Sequence, residues 1–175
     1  MPGAEVELNP ADFITIGTIG PKGKRVFYLQ AGQGPRVISL VIEKEQSWAL
    51  SEAIRELIDD LDKRLEDSSE ASYNLEDMDL REPIEPMFRV SQMGLGYDEE
   101  RDRVVLVAQE LVLPDSTTLE SEVDPLTGGA ETQPSVVRIW CSRSQMRALS
   151  EHAIATVKSG RADPKQNGRL VYYWT

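Results

Sequence analysis

Hydrophobic and polar residues alternate in three short runs near the start of the chain, and a different spacing follows them. The runs cover Phe13 to Gly17, Val26 to Ala31 and Val37 to Ile42, and Gly- and Pro-containing segments typical of turns lie between them. From Gln46 to Leu65 the apolar residues recur every three or four positions, as in a helix that packs one face on a sheet. The pattern predicts a three-stranded meander followed by a helix, a βββα unit.

The same order of patterns recurs in the second half of the chain. The strand-like runs and the second helical stripe are Phe88 to Met93, Arg103 to Val112, Val136 to Cys141 and Met146 to Val157. The match is closest where the third strand meets the helix, because QSWALSE at 46–52 and QMRALSE at 145–151 share five of seven residues. Upstream, Phe13 aligns with Phe88. The sequence therefore indicates a second βββα unit related to the first.

We expect an α+β protein built from a duplicated βββα unit, with the units at about 11–67 and 86–161 of a single domain spanning 1–175. Each unit alone leaves a sheet edge and an apolar helix stripe exposed. The two are therefore expected to join into a six-stranded, mostly antiparallel sheet with both helices on one face. The segments at about 66–85 and 114–134 are poor in apolar residues, so we interpret them as flexible acidic linkers.

Composition narrows the class of protein. No run of about 18 apolar residues occurs, and the N-terminal segment lacks the basic start and apolar stretch of a signal peptide, so we expect a cytoplasmic protein without a membrane span. Cys141 is the only cysteine, which excludes an internal disulfide and a thiolate zinc cluster. We expect no metal and no cofactor.

The net charge of −11 is unevenly distributed. Residues 66–85 contain eight acids and one base, and residues 114–134 contain five acids and no base, so the rest of the chain carries about +1. An acidic surface repels nucleic acid and anionic membranes, and we expect neither as a partner. The nearly neutral remainder is compatible with an anionic ligand.

The turn between the first two strands is a candidate ligand loop. Its glycines, Gly17, Gly20 and Gly23, have a spacing similar to phosphate-binding loops, but a strand follows them instead of a helix, which favours a simple hairpin turn. Lys22, Lys24 and Arg25 make this hairpin locally basic. If the protein has a ligand loop, the sequence places it here.

Other candidate residues have structural interpretations. Gln46 and Gln145 have the spacing of helix-capping boxes with Glu43 and Ser142, although paired ligands on a pseudo-twofold axis are an alternative interpretation. His152, the sole histidine, has no partnered serine to form a triad. Catalytic residues therefore remain unknown.

Two further features favour structural roles. Cys141 aligns with Ile42, an inward strand position, and predicts a packed thiol. The acidic hairpin from Asp98 to Asp102 lacks the oxygen spacing of a calcium loop and predicts a solvated turn.

Four strings together resemble an uncharacterised bacterial family, number 3090 among the domains of unknown function. They are GTIGPKGKRVFYLQA at 17–31, EKEQ at 43–46, MGLGYD at 93–98 and SGR at 159–161. The resemblance implies no activity. Similar proteins continue after Gly-Arg into a tail with paired cysteines and a histidine, which looks like a zinc knuckle. Here Arg161 leads through ADPKQ directly to Asn167, so that tail is missing and the zinc-dependent function it suggests is in doubt.

Two functions remain open from the sequence. The first is a non-enzymatic binding or regulatory module that engages a protein partner or a small anionic ligand through Lys24, Arg25, Lys44 and Arg161. The alternative is an enzyme acting on a phosphorylated small-molecule substrate, with these cations as clamps and Glu43 as base. Nothing in the sequence indicates the oligomeric state.

Overall fold

The computed structural model describes residues 3–21, 23–68, 70–71, 78–112 and 133–159. Its elements are β1 (Glu5–Leu8), β2 (Phe13–Ile19), β3 (Val26–Gln33), β4 (Arg36–Ile42), α1 (Lys44–Leu65), β5 (Pro86–Asp98), β6 (Arg103–Glu110), β7 (Val136–Cys141) and α2 (Arg143–Ser159). The α+β fold class is confirmed, and three strands followed by a helix occur twice. The sequence prediction lacks β1, because its alternating pattern extends over only four residues.

The strands form one sheet in the order β1-β7-β6-β5-β4-β3-β2. Four neighbouring pairs are antiparallel, whereas β4–β5 and β1–β7 are parallel. The expected six-stranded, mostly antiparallel sheet is therefore corrected to a mixed sheet of seven strands. The physical reason is that β1 covers the edge that β7 would otherwise leave open, just as the start of β5 covers β4.

The two ends of the strand order lie next to each other in space. β1 and β2 occupy opposite ends of that order, yet only residues 9–12 separate them along the chain. In this connection the Ala11 amide donates to the Trp140 carbonyl at 2.8 Å, and the Asp12 amide donates to the Gly32 carbonyl at 2.7 Å. These two bonds attach the connection between β1 and β2 to β7 on one side and to β3 on the other. The sheet therefore curls until its edges meet.

One hydrophobic core joins a face of this sheet to both helices. The helices contribute Leu50, Ile54, Ile58 and Leu61 from α1, and Met146, Leu149, Ala153 and Val157 from α2. Within the core the Ser150 hydroxyl donates to the Ser51 carbonyl at 2.7 Å, which fastens α2 to α1. Among the described residues, no helix is long and apolar enough to cross a lipid bilayer.

The opposite face of β2 and β3 is covered by residues 78–81, which fall within the segment predicted as the first linker. Thr15 donates its hydroxyl proton to the Met78 carbonyl at 2.8 Å. Gln30 both donates to the Arg81 carbonyl and accepts from the Arg81 amide, at 2.9 and 2.7 Å. The Arg81 guanidinium also lies 3.7 Å from the centre of the Phe13 ring. The second predicted linker lies outside the described residues except for its last two positions.

The elements form two sets, the first from β1 to α1 and the second from β5 to α2. The strand register shows which residues of the two sets correspond. The matching helix junctions differ by 99 positions, which makes Leu40 of β4 equivalent to Ile139 of β7. Phe88 lies opposite Leu40, and Leu8 lies opposite Ile139. Phe88 therefore corresponds to Leu8 rather than to Phe13. In the same way, the long strand β5 corresponds to β1 and β2 taken together.

Candidate functional site

A cleft of about 490 Å³ opens at the N-terminal end of α1, between the β2–β3 hairpin and the start of β5. We call it the α1 cleft. Among the described residues, three cationic side chains line it, Arg25 from the hairpin, Lys44 from the first turn of α1 and Arg89 from β5. The carboxylates of Glu43 and Glu45 also line it. Three elements distant in sequence therefore bring both signs of charge to one place.

The structure brings together two of the four residues that the sequence analysis proposed. Arg25 and Lys44 both line the α1 cleft. Lys24 precedes Arg25 in the hairpin and is exposed, whereas Arg161 lies outside the described residues. Arg89 is a third cation that the sequence analysis missed, because a single arginine in a predicted strand gives no functional signal.

The hairpin glycines serve the turn. Gly20 and Gly23 have φ values of +113° and +84°, in the region that side chains rarely adopt. A Cβ on Gly20 would lie 2.8 Å from the Lys24 carbonyl oxygen. The turn interpretation explains these glycines without a bound phosphate, so any anion at this place depends on the cationic side chains.

The cations of the α1 cleft differ in how far they are neutralised. Arg89 forms an ion pair with Glu43. Arg25 donates to the Ser159 carbonyl at 3.1 Å, and a neutral carbonyl leaves its charge in place. Among the described residues, neither Arg25 nor Lys44 has a carboxylate within ion-pair distance. The positive end of the α1 dipole adds to the same field.

The two junction glutamines have structural roles. Gln46 and Gln145 both occupy the third position of their helices, and their side-chain oxygens accept from the amides of Glu43 and Ser142 at 2.7 and 2.8 Å. The Ser142 hydroxyl in turn accepts from the Gln145 amide at 3.0 Å. Gln46 also donates to the Val90 carbonyl of β5, and Gln145 donates to the Ala11 carbonyl in the connection between β1 and β2. These bonds support the capping interpretation over the paired-ligand one.

The counterpart of the α1 cleft can be located through the register. Leu29 of β3 lies opposite Leu40, and Leu106 of β6 lies opposite Ile139, so β3 and β6 correspond with an offset of 77. Arg25 therefore corresponds to Asp102, which also ends a hairpin loop. Lys44 corresponds to Arg143, because both are the first residue of their helix.

Arg143 lies in a dense network of charges at this second position. Its guanidinium donates to Asp102, Asp62 and Asp67 at 2.9, 2.8 and 2.9 Å, and it is only 9% exposed. The Arg143 hydrogen bond, with a smaller contribution from Tyr97, holds the pKa of Asp102 below its usual value despite partial burial. The pKa of Arg143 is raised, chiefly by Asp102 and Asp67. This cluster is charged at neutral pH.

The acidic hairpin is thus only partly a solvated turn. Asp98 accepts from the amides of Glu100 and Arg101, as the turn prediction expects. Asp102, by contrast, is bound by Arg143 and accepts the Tyr97 hydroxyl proton at 2.7 Å. The sequence contained one signal for this network, namely a basic residue at the start of a helix, where acids are favoured.

Two further chemically reactive side chains, Cys141 and His152, are shielded from water to different degrees. Cys141 is fully buried, and burial raises the pKa of its thiol to about 12. Burial lowers the pKa of His152, although a hydrogen bond with the Ile16 backbone and the charge of Asp79 oppose it. Among the described residues, no group of three or more His, Cys, Asp or Glu side chains is placed to hold a metal ion.

Comparison with known proteins identifies the family of the chain. A family model described as protein of unknown function, DUF3090, matches residues 6–167. No curated protein and no solved structure matches the chain. Since the match covers nearly the whole sequence, the chain belongs to this family.

Proposed function

We propose that this member of DUF3090 is a non-enzymatic binding module whose α1 cleft takes a small anionic group, either a phosphate or a carboxylate, carried by a small ligand or by a protein partner. One contrast carries the proposal. In the second set of elements a helix-start cation is paired with the hairpin carboxylate of Asp102. In the first set the corresponding hairpin residue is Arg25, and both Arg25 and Lys44 line an open cleft.

The Asp102 carboxylate supports the choice of ligand, because it shows where an anion sits relative to a helix-start cation. An anion bound between Arg25 and Lys44 would occupy the corresponding place. Charge-assisted hydrogen bonds contribute about 1.5–3 kcal/mol each. Two of them contribute about 3–6 kcal/mol before the cost of association, so a free anion should bind with a dissociation constant in the millimolar range or above. A larger ligand with further contacts would bind more tightly.

The alternative, an enzyme acting on a phosphorylated substrate, receives less support. Its candidate base, Glu43, lies in an ion pair with Arg89. The described lining of the cleft contains no Ser, Thr, Cys or His to act as a nucleophile. The arrangement is therefore better suited to holding an anion than to reacting with it.

The test is thermal unfolding with inorganic phosphate, pyrophosphate and citrate. At ten times the dissociation constant, a ligand stabilises the fold by about 1.4 kcal/mol, which raises the melting temperature by about 3–6 °C in a domain of this size. Added salt should reduce the rise. The variant Arg25→Asp should abolish it, because the new carboxylate pairs with Lys44 as Asp102 pairs with Arg143.

Lys44→Ala should also remove most of the rise, whereas the control Arg36→Ala removes an exposed cation at the far end of the β3–β4 hairpin and should leave it intact. Arg161 remains a proposed contributor, and Arg161→Ala measures its share. A panel without any shift, or a shift that Arg25→Asp leaves unchanged, would refute the anion site.

A further inference from the structure

A second, mostly apolar groove of about 350 Å³ lies between α1 and β5. On the α1 side it is lined by Gln46, Ala49, Leu50 and Ala53, and on the β5 side by the consecutive residues 91–95. Consecutive residues of a strand point to alternate faces, so a groove lined by all of them runs along the strand edge. We call this the edge groove. It begins one residue beyond Glu45 and two beyond Arg89, which both line the α1 cleft.

The edge of β5 that lines the groove has no neighbouring strand among the described elements. β5 pairs with β4 only as far as Arg89, and beyond that point it pairs with β6 alone. Gln46 satisfies the carbonyls of Val90 and Ser91 at 3.1 and 3.3 Å. From Gln92 onward the edge opposite β6 is open to an additional strand.

The corresponding space, which lies between α2 and β2, is closed. Ile16 of β2 lies opposite Leu29, and Leu95 of β5 lies opposite Leu106, so Ile16 and Leu95 are equivalent. At Ile16 the side chain of His152, on α2, lies beside the strand backbone.

The residue of α1 equivalent to His152 is Ala53, which is exposed and has only a methyl group where His152 has a ring. Ala148 of α2 is fully buried, whereas its equivalent Ala49 is exposed, as is Ala53. The β2 edge is therefore covered by α2, whereas among the described residues nothing covers the β5 edge in the same way.

We propose that the edge groove binds an extended segment of a partner protein, which adds as a strand to β5, places an apolar side chain against Ala49 and Ala53, and directs an acidic residue into the α1 cleft. An open strand edge beside apolar pockets is the arrangement used for strand addition. We expect an acidic residue in the segment because Arg25 and Lys44 are positively charged, and this part of the proposal rests on the proposed function. The apolar contacts and the strand pairing do not depend on it.

The dimensions set the length of the segment. From Lys44 to Ala53 the helix rises about 14 Å at 1.5 Å per residue. An extended chain covers this distance in about four or five residues at 3.3 Å each. A library of random heptapeptides displayed on phage, selected against the full chain, is therefore long enough to span both sites.

Selection should enrich sequences with Asp or Glu at one end, followed by β-branched or apolar residues at alternate positions. The most enriched sequence, made as a free peptide, then serves as the probe. Its dissociation constant should rise at least tenfold in Ala53→His, because this variant has the histidine that α2 has at the equivalent position 152. The control Glu56→His places a histidine on the exposed surface of the helix outside the groove and should have no effect. Amide exchange at 92–95 should slow when the peptide is bound.

Lys44→Ala separates the two proposals. A peptide that Ala53→His blocks but Lys44→Ala leaves unaffected supports strand addition and refutes the acidic contact. Phosphate binding without any enriched peptide supports the α1 cleft and overturns the edge groove. Peptides that bind equally well to Ala53→His, or that leave amide exchange at 92–95 unchanged, also overturn it.

Discussion

Replacing Arg143 by methionine should lower the free energy of unfolding, because it removes most of the ion pairs that join the two helices to the β5–β6 hairpin. Arg143 donates to three carboxylates, which differ in exposure: the Asp62 side chain is 14% exposed, Asp102 48% and Asp67 64%. The shielded bond to Asp62 contributes about 2 kcal/mol. The two exposed pairs contribute about 0.5 kcal/mol each, because water screens them. The expected loss is therefore about 3 kcal/mol.

Asp62 keeps a second partner in this variant, because Arg147 also donates to it at 3.0 Å. No carboxylate is thus left buried without a cation, and the larger penalty of an unpaired buried charge is avoided. For a domain of this size, about 3 kcal/mol lowers the melting temperature by about 6–12 °C. The variant should still fold.

The measurement is thermal and urea unfolding of Arg143→Met beside the control Arg55→Met, which removes an exposed pair with Glu52 and should change the free energy of unfolding by less than about 0.5 kcal/mol. The pKa of folded Asp102 lies below its unfolded value, so its contribution is present above about pH 4 and is lost as the pH falls through the lower folded value. The difference in the free energy of unfolding between wild type and Arg143→Met should therefore be constant from pH 7 to 5 and should become smaller in stronger acid. A melting temperature within 2 °C of wild type at pH 7, or a gap that widens in acid, would refute this reasoning.

Two further predictions concern single side chains. Cys141 should react with a thiol reagent only after denaturation, since its thiol is buried and its pKa is raised to about 12; labelling of the native protein at the rate of a free thiol would contradict its position. Because burial lowers the pKa of folded His152, protonation favours the unfolded chain, so stability should fall as the pH drops from 7 through the unfolded value near 6.5. His152 is the sole histidine, so His152→Gln should remove this dependence, and an unchanged pH profile would show that another group is responsible.

Much of the secondary structure was predictable because it follows from local periodicity. The alternation in β2, β3 and β4 and the stripe of α1 report which side chains face the core, and this depends on neighbours in sequence. β1 was not predictable in this way, since four residues are too few to show a period. Its assignment depends on β7, which lies about 130 residues away and offers the open edge.

The candidate site was only half predictable for a related reason. A basic hairpin is visible as a cluster of Lys24 and Arg25, and it led to the α1 cleft. The contribution of Arg89 depends on how β5 lies against β4, and the role of Asp102 depends on α2 reaching its hairpin. These contacts join residues more than 40 positions apart, and no local pattern records them.

The two parallel seams in the sheet, β4 with β5 and β7 with β1, are the same head-to-tail joint made twice. The first joint links one set of elements to the next along the chain. If each parallel pairing of this kind joined one more set of elements, the sets would form an open-ended filament. Here the second joint pairs β7 with β1 of the same chain, so the two sets are joined to each other at both ends. β1 thus occupies the β7 edge within the same molecule, and we expect a chain that lacks β1 to offer that edge to a strand of another molecule.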